Sequence, residues 1–290
     1  MDLVQLLQAN PAAFTIVCAV LGLVIGSFLN VVIHRLPLML DREWRDQCRE
    51  LLGDSSAEPA PEPLNLVTPA SRCPHCGHRI RAWENIPVVS YLALRGRCSA
   101  CGGHISARYP AVELLTALLS GVIAWHFGFG WPAGAALLLT WALIPLSAID
   151  IDHQLLPDVI TLPWLWLGLL LSLWGVFVDA PTAIIGAVAG YLALWTVYQL
   201  FRLVTGREGM GYGDFKLLAL LGAWMGWQQL PAIILLSSLV GAVVGVGMIT
   251  ILGRDRQVPI PFGPYLAAAG WIALLWGHDL TQAYLHWARL

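Results

Sequence analysis

The sequence predicts an all-α, polytopic membrane protein, and three observations support that prediction. Of the 290 residues, 58% are hydrophobic and only 12% are charged, whereas about a quarter of a typical soluble domain is charged. The mean hydropathy is +0.69. Long uncharged stretches recur along the chain, several of them long enough to cross a hydrocarbon core of about 30 Å. The formal net charge of −2 excludes the basic field that a nucleic-acid-binding protein needs.

The uncharged stretches divide into eight predicted transmembrane helices. The first spans residues 11–33, and we expect it to stay attached because no Lys or Arg precedes it and no small-residue cleavage site follows it. Residues 114–149 are too long for one crossing and are divided by the turn-forming cluster at 128–132. Two of the other five spans lie at 159–178 and 181–201. Two more lie within 217–253, on either side of a break at 228–231, and the last lies at 257–278.

The cationic residues predict which side of the membrane each loop occupies. Ten of the sixteen Lys and Arg residues lie between Arg35 and Arg108. If the chain crosses the membrane eight times, five of the other six lie on the same side of the membrane as these ten. The opposite turns contain no Lys or Arg, and only Arg289 falls on that side. Because cytoplasmic loops are enriched in Lys and Arg, the sequence predicts a cytoplasmic long loop and both termini outside.

This topology predicts three parts. Residues 1–36 form the first transmembrane span, 37–109 a cytoplasmic zinc-binding loop domain, and 110–290 a seven-span membrane domain. Within the loop, residues 38–52 have helical apolar spacing, which fits either an interfacial amphipathic helix or a helix packed in the loop domain. Residues 53–69 are rich in Pro, Glu, Ala and Ser and are predicted to be a flexible linker.

Two Cys-x2-Cys pairs follow the linker, each with a glycine directly after it. They comprise Cys73, Cys76, Cys98 and Cys101. Each pair can present two thiolates from a tight turn, so the four together predict a closed tetrahedral zinc site that stabilises a small fold. Two disulfides are the alternative, but a reducing cytoplasm disfavours them. Cys18 and Cys48 are predicted to be packing residues.

Charged residues are rare near the membrane, and each is therefore a candidate for function. Asp150 ends the third predicted span and Asp214 opens the sixth, both on the cytoplasmic side and at similar depth. A His-Glu-x-x-His helix and a serine nucleophile elbow are both absent from the sequence. An aspartic pair could hydrolyse a peptide, one carboxylate taking a proton from water while the protonated partner polarises the carbonyl.

Other interpretations of these carboxylates remain open. An Asp at a helix boundary can simply be solvated or cap a helix. An ion-coupled transporter with a structural zinc module fits the same residues, and so does a non-enzymatic assembly scaffold. Three further acidic residues, Asp152, Asp158 and Glu208, lie in loops on the predicted cytoplasmic side and are candidates to attract a basic substrate. Glycines 209, 211 and 213 are expected to let the backbone bend and to let an extended peptide approach Asp214.

Eight segments together resemble the type IV prepilin peptidases, also called leader peptidase/N-methyltransferases, over nearly the whole chain. Besides the two cysteine pairs, they are 26–37 (GSFLNVVIHRLP), 84–96 (ENIPVVSYLALRG), 108–113 (RYPAVE), 150–158 (DIDHQLLPD), 211–214 (GYGD) and 261–264 (PFGP).

The resemblance implies a bacterial inner-membrane aspartic protease of the Gly-x-Gly-Asp type, with Asp150 and Asp214 as its catalytic dyad. Its expected substrates are prepilins and pseudopilins of type IV pilus or type II secretion systems, whose short basic leaders remain in the cytoplasm. Family members with the cysteine loop also methylate the new N-terminal amine with S-adenosylmethionine. No glycine-rich dinucleotide-type fingerprint is present for that cofactor, so the sequence assigns it no site.

Overall fold

A computed structural model of the chain describes residues 2–53, 64–251 and 260–288. The described residues are helical apart from turns and two isolated β-bridges in the cysteine loop. They form two compact units, Met1–Phe129 and Gly130–Leu290. The predicted all-α class is confirmed, and five helical segments are long and apolar enough to cross a membrane. The full count of eight crossings and the division at residues 36 and 109 stay predictions.

The first unit is organised by one long helix. After α1 (Leu3–Ala9), helix α2 runs from Pro11 to Leu51 and is capped by the Asn10 side chain, which accepts a hydrogen bond from the Ala13 N–H. The helix continues through Pro37, so the predicted helix at 38–52 is its continuation. A 3₁₀ turn (Ala82–Asn85), α3 (Val89–Ala93) and α4 (Arg108–Phe127) complete this unit.

Helices α2 and α4 pack closely because glycines of α2 face the α4 backbone. A Cβ atom added at Gly26 would lie 2.7 Å from the Glu113 Cα, and one at Gly22 would lie 2.8 Å from the Ala117 Cα. Small residues allow such close approach between apolar helices. By contrast, the distal part of α2 is exposed, including Cys48. The prediction that Cys48 is a packing residue is wrong, whereas Cys18 is buried as expected.

Six helices are present in the described part of the second unit. They are α5 (Trp131–His153), α6 (Asp158–Ser172), α7 (Ala180–Thr205), α8 (Tyr212–Met225), α9 (Leu230–Thr250) and α10 (Gly263–Ala288), with a 3₁₀ turn at Trp227–Gln229 before α9. Helix α6 ends six residues before the predicted boundary at 178, and Gly175, with φ of +61°, lies in the turn that follows. The predicted break at 228–231 begins earlier, because α8 ends at Met225 and Gly226 has φ of +79°.

Helix α8 lies at the centre of this second unit. It is buried on every side from Leu217 to Met225 and packs against α6, α7 and α10. Its 14 residues span about 21 Å, less than the hydrocarbon thickness of about 30 Å. Its contact with α7 is made through glycines, since a Cβ atom added at Gly186 would collide with the Gly222 carbonyl. Close packing therefore holds α8 inside the unit from Leu217 to Met225.

Candidate active site and metal centre

Asp150 lies in the last turn of α5, where its side chain is buried. Its Oδ2 accepts a hydrogen bond of 2.9 Å from the backbone N–H of Gly263, at the start of α10. The helix ends three residues later, and Gln154 closes it in the left-handed conformation, donating its N–H to the Asp150 carbonyl. The carboxylate is therefore oriented by two helices that are more than a hundred residues apart.

Asp214 occupies the first turn of α8 and is also buried. Its carboxyl group interacts electrostatically with that of Asp150. The side chain of Leu156 connects the two positions. Cβ atoms added at Gly213 and Gly263 would lie 2.8 Å and 3.1 Å from it, respectively. The structure therefore brings the two carboxylates that the sequence places at matched depth close enough to interact electrostatically.

The glycines before Asp214 serve close packing more than backbone bending. None of Gly209, Gly211 and Gly213 has a positive φ. A Cβ atom at Gly209 would lie 2.8 Å from the Phe201 ring, whereas one at Gly211 would meet open space. The expectation that these residues let the chain bend is therefore refined. The open space at Gly211 is the feature consistent with a peptide approaching Asp214.

The three other acidic candidates differ from one another in their surroundings. Asp152 and Glu208 are exposed. Asp158 forms an ion pair with Lys216, whose Nζ lies 2.7 Å from both carboxylate oxygens. This pair joins the first turn of α6 to the second turn of α8, two residues beyond Asp214. Asp158 therefore has a local structural contact, and its charge is balanced.

The four cysteines of the loop converge on one point. Their Sγ atoms all lie within 4.8 Å of one another, and the Sγ atoms of Cys73 and Cys101 are 3.9 Å apart. A tetrahedral zinc ion with Zn–S bonds of ~2.3 Å requires Sγ atoms about 3.8 Å apart. All six cysteines are free thiols, so the disulfide alternative finds no support. The donor set fits a metal ion held by four thiolates.

Two hairpins of the same construction present these thiols. In the first, the Cys73 N–H donates to the His78 carbonyl and the Gly77 N–H to the Cys73 carbonyl. In the second hairpin, the Cys98 N–H donates to the Gly103 carbonyl and the Gly102 N–H donates to the Cys98 carbonyl. Gly77 and Gly102 have φ of +72° and +69°, a conformation that glycine adopts without a steric penalty. The Cys-x2-Cys-Gly pattern thus fixes both turns.

Local hydrogen bonds stabilise the charged forms of two loop groups. The backbone N–H groups of Cys76 and His75 lower the pKa of the Cys73 thiol to about 7. The Glu84 carboxylate accepts the Arg81 N–H at 2.7 Å, the Ser99 hydroxyl and a contact from His78 Nε2, and these interactions hold the pKa of Glu84 below its ordinary value. Glu84 therefore ties the two hairpins together through its contacts with His78 and Ser99.

Sequence reasoning gave no role to three buried polar residues of the first unit. Arg35 donates to the carbonyls of Asn65 and Pro69 at 2.9 Å and 2.6 Å. Asn30 donates to the Tyr109 carbonyl, and Glu113 accepts the Val88 N–H at 2.8 Å. All three are at most 9% exposed. The rarity of charged residues near membrane spans is the signal that would have selected Arg35 and Glu113.

The fold and these sites define a helical, multi-span membrane protein with a buried carboxylate pair and a four-cysteine loop. Residues 20–127 match the bacterial peptidase A24 N-terminal domain, and residues 137–246 match the type IV leader peptidase family. No solved structure matches the chain.

Curated relatives match over the whole length. A prepilin leader peptidase/N-methyltransferase of Stutzerimonas stutzeri is 63% identical over 287 residues, covering 99% of each chain. Proteins of the same name from Pseudomonas aeruginosa and Aeromonas hydrophila are 61% and 57% identical, covering 99% and 98% of each chain, respectively. The chain belongs to the type IV leader peptidase family.

Proposed function

We propose that this protein removes the short basic leader from prepilins and pseudopilins and then methylates the new N-terminal amine with S-adenosylmethionine. The names of the full-length relatives support both activities. The observation that carries the peptidase assignment is the pair of buried carboxylates, Asp150 and Asp214, which interact across the ends of α5 and α8.

In this mechanism the pair works as general base and general acid. The ionised carboxylate takes a proton from a water molecule as the water attacks the scissile carbonyl, and the protonated partner donates a hydrogen bond to the carbonyl oxygen. The amide nitrogen then receives a proton and leaves as the free amine. The positive end of the α8 dipole favours the charged form of Asp214. The Gly263 N–H donates to Oδ2 of Asp150 and orients its carboxyl group.

The metal centre has a structural role in this proposal. Cys73, Cys76, Cys98 and Cys101 would hold the zinc ion, and four thiolates would leave no position on it for an attacking water. We assign the cysteine loop and the carboxylate pair to the cytoplasmic side of the inner membrane. The distribution of Lys and Arg supports that side. The division into a first span (1–36), a loop domain (37–109) and a seven-span domain (110–290) belongs to the same proposal.

Mass spectrometry of a prepilin incubated with the purified, zinc-containing protein tests this function. We expect shortening at the leader without S-adenosylmethionine, and one added methyl group when it is present. Asp150→Asn and Asp214→Asn should each abolish cleavage, because asparagine keeps the shape of the side chain but cannot exchange its proton. Asp279→Asn, at an exposed position of α10 in the same unit, is the matched control and should cleave normally.

The same measurement separates the alternatives. Full cleavage by either single variant contradicts the carboxylate pair and favours the transporter interpretation. An intact substrate after incubation with the wild-type protein contradicts the peptidase assignment altogether.

A further inference from the structure

A cavity of about 620 Å³ lies within the first unit, lined by α2, the start of α4 and the cysteine loop. Its volume falls in the range of about 300–1,000 Å³ that is typical of sites for cofactors and other small molecules. The carboxylate pair belongs to the other unit, so the proposed peptide hydrolysis makes no use of this cavity. The proposed methylation, by contrast, needs a place for its methyl donor.

Two carboxylates line the cavity, and both are held in place by the fold. Glu113 is 7% exposed and receives hydrogen bonds from the Val88 N–H and the Ser27 hydroxyl. Glu84 is fixed between the two cysteine hairpins. Carboxylates in a partly desolvated cavity attract a cationic ligand more strongly than carboxylates in bulk water. Such groups also accept hydrogen bonds from sugar hydroxyls.

Guanidinium and aromatic groups complete the lining. Arg35 and Arg72 supply positive charge, and the hydrogen bonds of Arg35 to Asn65 and Pro69 fix the loop beside the cavity. Tyr91 and Tyr109 provide aromatic surface, which suits a purine ring or a cation. Both signs of charge with aromatic surface favour a small zwitterion that carries a base.

We infer that this cavity binds S-adenosylmethionine. The inference rests on the proposed methyltransferase function and gives its methyl donor a site. The ligand has a sulfonium, an ammonium, a carboxylate, ribose hydroxyls and an adenine ring, and the lining has a complementary group for each. Glu113 and Glu84 match the positive groups and hydroxyls, Arg35 and Arg72 match the carboxylate, and the tyrosines match the ring.

The first test is direct binding to the detergent-purified, zinc-containing protein, measured by calorimetry with S-adenosylmethionine. Ala70 lines the cavity, and Ala70→Trp places an indole ring in it. We expect binding to weaken at least about tenfold, equivalent to a loss of about 1.4 kcal/mol. Val67→Trp is the matched control, because Val67 lies on the same loop, is 82% exposed and does not line the cavity. It should bind normally.

The second test uses charge instead of bulk. S-adenosylhomocysteine lacks the sulfonium charge of S-adenosylmethionine. Glu113→Gln should therefore weaken S-adenosylmethionine binding about tenfold, because an interaction with a charged group is lost. Binding of S-adenosylhomocysteine should weaken much less. A merely structural role of Glu113 would weaken both ligands equally. Zinc content and prepilin cleavage report whether each variant is folded.

Wild-type affinity for S-adenosylmethionine in Ala70→Trp, or an unchanged affinity ratio in Glu113→Gln, overturns the inference. If the wild-type protein still methylates prepilin in that case, the proposed function stands and only the location is wrong. If the wild-type protein neither binds S-adenosylmethionine nor methylates, the methyltransferase part of the proposed function fails together with the inference.

Discussion

Replacing Gly263 with alanine tests how the backbone of α10 orients the carboxylate of Asp150. The Gly263 N–H donates to Asp150 Oδ2 at 2.9 Å, and a Cβ atom on Gly263 would lie 2.7 Å from that oxygen. The added methyl group could not move toward Leu156, because the Cβ atom would already lie 3.1 Å from the Leu156 Cδ2. The residue does not have a positive φ, so alanine strains no backbone dihedral. Its expected effect is displacement of the carboxylate.

The magnitude follows from the interaction that is lost. A hydrogen bond to a neutral group contributes about 0.5–1.5 kcal/mol, and the proposed mechanism gives Asp150 the proton of the pair. If that stabilisation is needed throughout the reaction, its loss lowers the cleavage rate about 2- to 13-fold. The assay is kcat/KM for prepilin cleavage by purified Gly263→Ala protein, with zinc content and thermal unfolding as measures of folding.

Gly134→Ala is the matched control for this variant. Gly134 lies on α5, the helix that bears Asp150, and a Cβ atom there would meet no other atom within 4 Å. Cleavage should be unchanged, because the methyl group has room and alanine favours the helix. Wild-type kcat/KM in Gly263→Ala would refute the argument that this backbone contact positions the Asp150 carboxylate.

Three further predictions concern the loop and the surface charges. Cys76→Ser should release zinc, detected by elemental analysis, and lower methylation more than cleavage; wild-type protein without zinc would contradict the assignment. Lys216→Met should change the free energy of unfolding by no more than about 1 kcal/mol, because the ion pair with Asp158 is partly exposed; a larger loss would show that this pair holds α6 to α8. The double variant Asp152→Asn/Glu208→Gln should raise KM for a basic leader and reduce its salt dependence. An unchanged KM at low and high salt would place the attraction elsewhere.

Local chemistry explains which features the sequence predicted. Cys-x2-Cys-Gly spacing determines a hairpin with a left-handed glycine, so the cysteine cluster follows from the residues themselves. Hydropathy and turn residues located the helices of both units, although α6 ends six residues before 178 and α10 extends ten residues beyond 278. The pairing of Asp150 with Asp214 was also accessible, because alternating spans put both at one membrane face.

The features that were missed depend on contacts between distant segments. Nothing near Asp150 in the sequence predicts that the Gly263 N–H reaches it, since 113 residues separate the two. The cavity beside Glu113 forms only when α2, α4 and the loop fold together. Asp158 looked like a free surface charge because its partner Lys216 lies 58 residues away. The continuity of α2 through Pro37 opposes the usual effect of proline on a helix.

Because α2 is continuous, the residues after Pro37 keep the helical register of the residues before it. Its 41 residues extend about 62 Å, roughly twice the thickness of a hydrocarbon core. The packing of the first half of α2 against α4 therefore sets the direction in which Trp44 and Leu51 point. One residue inserted between Pro37 and Trp44 would rotate the part of α2 beyond the insertion by about 100° and shift it by about 1.5 Å along the helix axis. The exposed distal surface would then face a different side, while the contacts of the buried half would stay unchanged.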